Sequence, residues 1–186
     1  MRIISGKFKG RRLTAPKHLP VRPTKDMAKE GLFNILNHQV YFPDISVLDL
    51  FAGTGNISFE FVSRGVRDVT AVDSHKGCIR FMVKVSTDLE MGLKTMTMDV
   101  FHFLGQHHKA HDIIFADPFY DMAPQLFEKL VAEVFANKLL LPQGMLIVEH
   151  PKELSLNHLH HFEHERKYGG SVFSFFRQPQ KEAGTL

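Results

Sequence analysis

The chain has 186 residues, 44% hydrophobic and 23% charged, which suits one well-buried soluble domain and is too short for two full ones. Cys78 is the only cysteine, which excludes an internal disulfide framework, a cysteine-based zinc site and a CxxC redox pair, and no stretch approaches the roughly 20 apolar residues that span a bilayer. The net charge of +3 is unevenly laid out: residues 1–30 carry nine Lys/Arg against Asp26 and Glu30, a local +7, while the rest carries 14 against 18, or −4.

Residues 2–14 alternate loosely, Ile3, Ile4, Phe8 and Leu13 against Arg2, Lys7, Lys9, Arg11 and Arg12, with Gly6 and Gly10 as punctuation. This predicts a short β-hairpin with a basic face. Basic charge gathered at one end, in Lys7, Lys9, Arg11, Arg12 and Arg22, reads as an electrostatic handle for a polyanion, with a solvated basic tail as the alternative. The start is basic and lacks an apolar signal core, so a cytoplasmic protein is expected rather than a secreted one. Ala15 to Pro23 is a proline-marked connector, after which Thr24 offers an N-cap for a helix to about residue 39, with Met27, Leu32, Phe33, Ile35 and Leu36 apolar.

After Pro43, strands at about 46–51, 68–73, 94–98, 111–117 and 144–150 alternate with helices at about 55–64, 75–91, 99–108 and 122–140. Such alternation predicts a parallel sheet with helices on both faces. His160–Tyr168 and Ser171–Arg177, joined by Gly169-Gly170, predict a closing antiparallel hairpin, and the tail after Gln178 is expected to fray.

The first strand runs into Asp49-Leu50-Phe51-Ala52-Gly53-Thr54-Gly55. That pattern delivers a carboxylate to the sheet's carboxyl edge, with two glycines that let backbone approach a nucleotide-like cofactor. Ser58 stands where a dinucleotide fingerprint would carry its third glycine, which weakens a dinucleotide reading. Asp73 closes the second strand, where a carboxylate can accept both ribose hydroxyls. Asp99 follows the third strand, placed to accept from an adenine amine, with Val100 or Phe101 against the ring. Either aspartate alone could be a mere helix cap; carboxylates at successive strand ends beside a Gly-x-Gly turn favour a ligand.

Asp117-Pro118-Phe119-Tyr120 follows the fourth strand. A carboxylate, a proline-fixed carbonyl and an aromatic ring suit a flat base with an exocyclic amine: the ring stacks, and the two oxygens accept the amine protons. A purely structural turn is the alternative.

These motifs resemble the class I S-adenosylmethionine-dependent methyltransferases, and within them the RsmD family of bacterial 16S ribosomal RNA guanine-N2 methyltransferases. The resemblance covers nearly the whole chain: Met1 to Leu13, Arg22-Pro23-Thr24 leading into Glu30 to Leu36, Asp49 to Gly55, and Tyr168-Gly169 before the last strand. It implies a Rossmann-like α/β fold, a seven-stranded mostly parallel sheet in order 3-2-1-4-5-7-6 with an antiparallel C-terminal hairpin and a small N-terminal hairpin and helix extension. The implied organisation is a basic RNA-binding extension over residues 1–43, a methyltransferase domain over 44–178 and a flexible tail over 179–186. The implied cofactor is S-adenosylmethionine. Asp49, Phe51, Gly53 and Gly55 would surround its methionine part, Asp73 its ribose, and Asp99 and Val100 its adenine. Asp117 and Pro118 would receive the guanine amine, with Tyr120 stacking. The implied partner is 16S ribosomal RNA in the small subunit, met by a monomer without metal or membrane. Two positions depart from the family: Phe119 replaces its second proline, and Met27 stands where an arginine is frequent.

Of the twelve histidines, His107, His108 and His111 cluster, as do His158, His160, His161 and His164. His160 and His161 point to opposite faces of a strand, no cysteine helps and no HExxH spacing occurs, so no metal site is expected. Phe173, Phe175 and Phe176 are expected to pack the core. Competing readings are an adenine-N6 methyltransferase on DNA or RNA, since an acidic residue before proline and an aromatic serves both bases, and a non-catalytic RNA-binding or ribosome-assembly factor.

Overall fold

Continuous apolar runs such as Val47-Leu48 and Ile113-Ile114-Phe115 form central strands covered on both faces, in a computed structural model that describes residues 1–19 and 26–178. The elements are α1 (Asp26–Asn37), a 3-10 turn (Phe42–Asp44), β1 (Ser46–Leu50), α2 (Asn56–Ser63), β2 (Asp68–Asp73), α3 (Lys76–Asp88), β3 (Lys94–Thr97), α4 (Val100–Gln106), β4 (His111–Ala116), α5 (Pro124–Ala136), β5 (Leu140–Pro151), β6 (Phe162–Tyr168) and β7 (Ser171–Arg177). The seven strands order as β3-β2-β1-β4-β5-β7-β6. The first five pair in parallel, and β7 lies antiparallel between β5 and β6. The fold is thus the Rossmann-like methyltransferase sheet that the resemblance implied.

Strand alternation sorts side chains between two cores. Leu48, Leu50, Ile114, Ala116, Leu146 and Val148 pack with α4 and α5. Val47, Ile113, Phe115, Met145, Ile147, Phe173 and Phe175 pack with α1 and α2. On that second face the next positions towards the carboxyl ends of β1, β4 and β5 are Asp49, Asp117 and Glu149. Phe173, Phe175 and Phe176 are fully buried core residues, as expected.

The N-terminal segment forms the expected hairpin in short form. Its two arms meet at the antiparallel bridge of Arg2 with Arg12, flanked by Leu13 N–H to the Met1 carbonyl at 2.9 Å, Ile3 N–H to the Arg11 carbonyl at 3.0 Å and Gly10 N–H to the Ile3 carbonyl at 2.8 Å. Beyond Ile3 the donors turn to α2: Ile4 and Ser5 N–H donate to the Glu60 carboxylate at 2.8 and 3.0 Å, and Lys7 N–H to the Ser63 carbonyl at 2.7 Å. Gly6 lies here with φ +83°, and a Cβ on it would sit 1.8 Å from the Ser63 oxygen, so only glycine permits this approach. Ile3 and Leu13 are buried against Phe59, Ile79 and Met82.

Beneath the arm lies a buried charge cluster. Lys29, 1% exposed, donates to the Arg2 carbonyl at 2.6 Å and to Asn56 Oδ1 at 2.8 Å, and lies 3.7 Å from Glu60. Arg64 bonds the same Glu60 at 2.9 Å. Burial drives the Lys29 pKa below its ordinary value, and the charge of Glu60 opposes the shift.

Three other boundaries move. β5 starts at Leu140 rather than near 144, because the β4–β5 register slips between His111 and Ile113 and Gln143 takes a positive φ of 66°. This bulge accommodates Pro142, which cannot donate to a regular ladder. α5 therefore stops at Ala136 instead of 140. α3 stops at Asp88 instead of 91, where Glu90 turns to φ 50°. Thr24, Arg22 and the tail beyond Gln178 lie outside the described residues.

Candidate active site

A cleft of about 690 Å³ opens at the carboxyl edge of the sheet, within the size range of small-molecule and cofactor sites. It runs past the ends of β1, β2, β4 and β5 and the start of α4. Asp49, Phe51, Gly53, Asp73, Asp99, Val100, Asp117, Pro118 and Tyr120 all line it, so residues dispersed over 72 positions of sequence meet in one cavity.

Gly55 does not line it. Gly55 is the left-handed N-cap of α2 (φ +79°), and a Cβ there would come within 2.7 Å of Met82 Sδ and 3.0 Å of Phe59. Its small size fits α2 against α3 rather than opening space for a ligand. The first turn of α2 faces the cleft instead through Asn56 and Ile57.

Asp49 is 1% exposed and accepts a hydrogen bond from the Ser58 hydroxyl. Burial raises its pKa to about 7, with the Ser58 bond opposing the shift. The side chain that replaces the dinucleotide glycine is thus the partner that satisfies the buried carboxylate.

Both oxygens of Asp73 already accept backbone donors, Gly53 N–H at 2.7 Å and His75 N–H at 2.7 Å. The carboxylate therefore fixes the glycine loop to the start of α3, and each oxygen keeps a lone pair for a hydroxyl in the cleft. Asp99 caps α4 by accepting from His102 N–H at 3.0 Å. Cap and ligand acceptor are compatible roles, since a carboxylate offers about four lone-pair sites. Phe51, held at φ 58°, lies edge-on to both Phe101 and Phe119, each with ring centroids 6.4 Å apart.

The Asp117 turn hangs from β1 through Asp117 N–H to the Leu50 carbonyl at 3.3 Å. Pro118 is buried, whereas Phe119 and Tyr120 are 61% and 43% exposed at the cleft. The Tyr120 hydroxyl lies 2.7 Å from the Ser171 hydroxyl, which ties the turn to the start of β7.

Several lining residues carried no sequence signal: Glu149, Lys152 and Glu153 from the end of β5, Ser171 from β7, and Thr54 and Asn56 from the glycine loop. Glu149 is 3% exposed and was hidden inside an apolar strand; a charged residue ending such a run is the one cue that could have flagged it.

The basic residues lie elsewhere on the surface. Lys7, Lys9, Arg11 and Arg12 are exposed on the arm. Among the histidines, His111 is fully buried with its Nε2 3.0 Å from His107 Nε2 and the two rings stacked. Burial lowers the His111 pKa to about 4. Among the described residues, no three His, Cys, Asp or Glu side chains group as a metal-binding set.

Residues 1–177 match the family described as Conserved hypothetical protein 95. The chain is 30% identical over 186 residues to ribosomal RNA small subunit methyltransferase D of Escherichia coli K12, covering 98% of this chain and 91% of that protein. It is 31% identical over 161 residues to the Haemophilus influenzae protein of the same name, covering 84% and 81%. The solved structure of the methyltransferase candidate yhhF from Escherichia coli superposes with a TM-score of 0.84 at 26% identity, over 97% of this chain and 99% of that one.

Proposed function

The chain belongs to the family described as Conserved hypothetical protein 95, that of the ribosomal RNA small subunit methyltransferase D proteins, and from this membership we propose that it methylates N2 of a guanine in 16S ribosomal RNA. It does so with S-adenosylmethionine. Such a substrate meets the enzyme in the cytoplasm, where it acts as a monomer. The observation that carries the reading is the convergence of Asp73, Asp99 and the Asp117-Pro118-Phe119-Tyr120 turn on one cleft.

The cleft's residues fit the cofactor. Two carboxylates at successive strand ends suit a ribose and an adenine amine, and the buried Asp49 suits a cationic amino group. Bound there, S-adenosylmethionine supplies a methyl carbon activated by its sulfonium. The chain supplies placement and charge. Asp73 and Asp99 orient the nucleoside, and the Asp117 carboxylate and Pro118 carbonyl accept the two protons of the guanine amine. As the nitrogen attacks, those protons become more acidic and their hydrogen bonds strengthen, so Asp117 favours the transition state over the bound substrate. Tyr120, steadied by Ser171, offers its ring to the flipped base. The exposed charges of Lys7, Lys9, Arg11 and Arg12, with Arg22, meet the phosphate backbone.

The test is incubation with labelled cofactor and small subunits from a strain lacking the modification, followed by mass-spectrometric mapping. Label on the N2 amine of one guanine is expected. Label on an adenine amine, or no transfer, overturns the reading.

A further inference from the structure

We propose that Lys152 binds the phosphate of the everted nucleotide, which makes the rim between the end of β5 and the start of β7 a phosphodiester subsite separate from the basic arm. The inference rests on the RNA reading above.

Charge carries the argument. Six carboxyls line the cleft, those of Asp49, Asp73, Asp99, Asp117, Glu149 and Glu153, and among the described residues Lys152 is its only lysine or arginine. His75, also in the lining, accepts Cys78 N–H on Nδ1 at 3.3 Å, the role of an unprotonated ring nitrogen. Even with Asp49, Asp117 and Glu149 left out of the count as the inner carboxyls, Asp73, Asp99 and Glu153 outnumber that one cation. A base cannot enter this opening without bringing its sugar and phosphates to the rim. Like charges brought together there cost free energy, and Lys152 is where the described lining offers a phosphate attraction instead.

Register sets where that cation stands. β5 and β7 pair antiparallel as far as Pro151 opposite Ser171, so one step further Lys152 comes opposite Gly170, and both line the cleft. Ser171 is the residue whose hydroxyl lies 2.7 Å from that of Tyr120. The ammonium thus stands beside the ring assigned to the base, as a phosphate stands beside the base of its own nucleotide. A Cβ on Gly170 would meet nothing within 4 Å, so the position opposite Lys152 is open. The Lys152 side chain is 64% exposed and its ion pair with Glu153 spans 3.9 Å, beyond hydrogen-bonding distance, which leaves the ammonium able to turn to a ligand.

The probes are guanosine and its 5′- and 3′-monophosphates, titrated by NMR against the full-length protein saturated with S-adenosylhomocysteine. The wild-type protein should bind one monophosphate about three- to fivefold more tightly than guanosine at low salt, the upper end for an exposed ion pair. Which of the two binds better names the linkage that Lys152 holds. In Lys152→Gln the preference should vanish or reverse, because carboxylates then dominate the rim. Affinities for guanosine and S-adenosylhomocysteine should not change, and an unchanged melting temperature reports that the variant is folded. With small subunits as substrate, half-saturation in the variant should lose about 0.7–0.9 of a logarithmic slope against salt, while the maximal rate holds. A variant that keeps the phosphate preference or the wild-type slope, or a wild-type protein that binds guanosine and both monophosphates alike, overturns the proposal. So does a variant that loses affinity for S-adenosylhomocysteine, which would assign the lysine to the cofactor's carboxylate. Methyl transfer keeps the two readings apart. Transfer to a guanine amine without a phosphate preference rejects the role of Lys152 alone, and no transfer together with no binding of guanosine rejects both.

Discussion

Lys29 on α1 and Asn56 on the first turn of α2 share a 2.8 Å hydrogen bond, buried beneath the N-terminal arm and behind the cleft wall. The same ammonium holds the Arg2 carbonyl and faces Glu60. Lys29→Met leaves Glu60 in the interior with only Arg64 to neutralise it. Breaking one partner out of a buried pair costs about 3 kcal/mol at the low end, where a second cation remains. Urea denaturation should show that loss, and limited proteolysis should cut earlier within residues 1–19. A variant as stable as wild type would mean that Arg64 alone suffices.

Asp73→Ala removes an acceptor that serves the Gly53 and His75 amides and, on the proposed reading, the ribose. Cofactor affinity should fall by about 1.5–3 kcal/mol for each charge-assisted hydrogen bond lost, with RNA affinity at fixed salt little changed. Isothermal calorimetry on the folded variant measures both.

Asp117→Ala should lower turnover by about 10²–10³, as for removal of one preorganised electrostatic group, while cofactor affinity hardly moves. Tyr120→Ala should act on base capture instead, costing roughly 1–3 kcal/mol of stacking. Single-turnover kinetics, with the enzyme varied in excess over RNA, separates the maximal rate from the concentration for half-saturation and so the two effects. Unchanged turnover in a folded Asp117→Ala protein moves the chemistry to other residues.

Replacing Lys7, Lys9, Arg11 and Arg12 with serine should weaken RNA binding and flatten its salt dependence by about 0.7–0.9 of a logarithmic slope per lost phosphate contact. Cofactor affinity should be untouched. An unaltered slope would reduce these side chains to a solvated edge.

The titration of Asp49 gives a pH signature. Its folded pKa of about 7 exceeds the ordinary 3.8, so its contribution to stability is full below pH 3.8 and is lost as pH rises towards 7. Asp49→Asn removes that loss. The melting-temperature difference, wild type minus variant, should therefore fall as the pH of the cofactor-free protein goes from 5 to 8. A difference independent of pH would place the titration elsewhere.

The sheet was legible because its central strands are unbroken apolar runs, a pattern that a strand covered on both faces enforces. Asp117 was legible because it ends such a run, and Asp73 and Asp99 because each stands at the boundary of a strand with the helix that follows. Glu149 was not, since it follows the apolar run Leu146-Ile147-Val148 but falls inside the strand expected at about 144–150 rather than after it. Ser58 was noticed only as a missing glycine; that it serves Asp49 depends on the helical turn that brings position 58 back to the strand. The arm's docking was hidden for another reason. Its hydrogen bonds reach from Ile4 and Ser5 to Glu60, some 55 positions away, and no local periodicity encodes a partner at that separation. The boundary of β5 failed for want of the bulge, which Pro142 demands but does not locate.

Because Glu60 and Ser63 lash residues 4 to 8 to the same helix whose first turn walls the cleft, the arm's cations stand at a set span from the reacting end. On the proposed reading that span is a gauge. An RNA that presents a phosphate run and an everted base at that separation would satisfy both ends without further ordering of the arm, whereas one with a different spacing would have to give up one contact to make the other. The shape of the folded RNA, as much as the identity of one base, would then decide which nucleotide is reached.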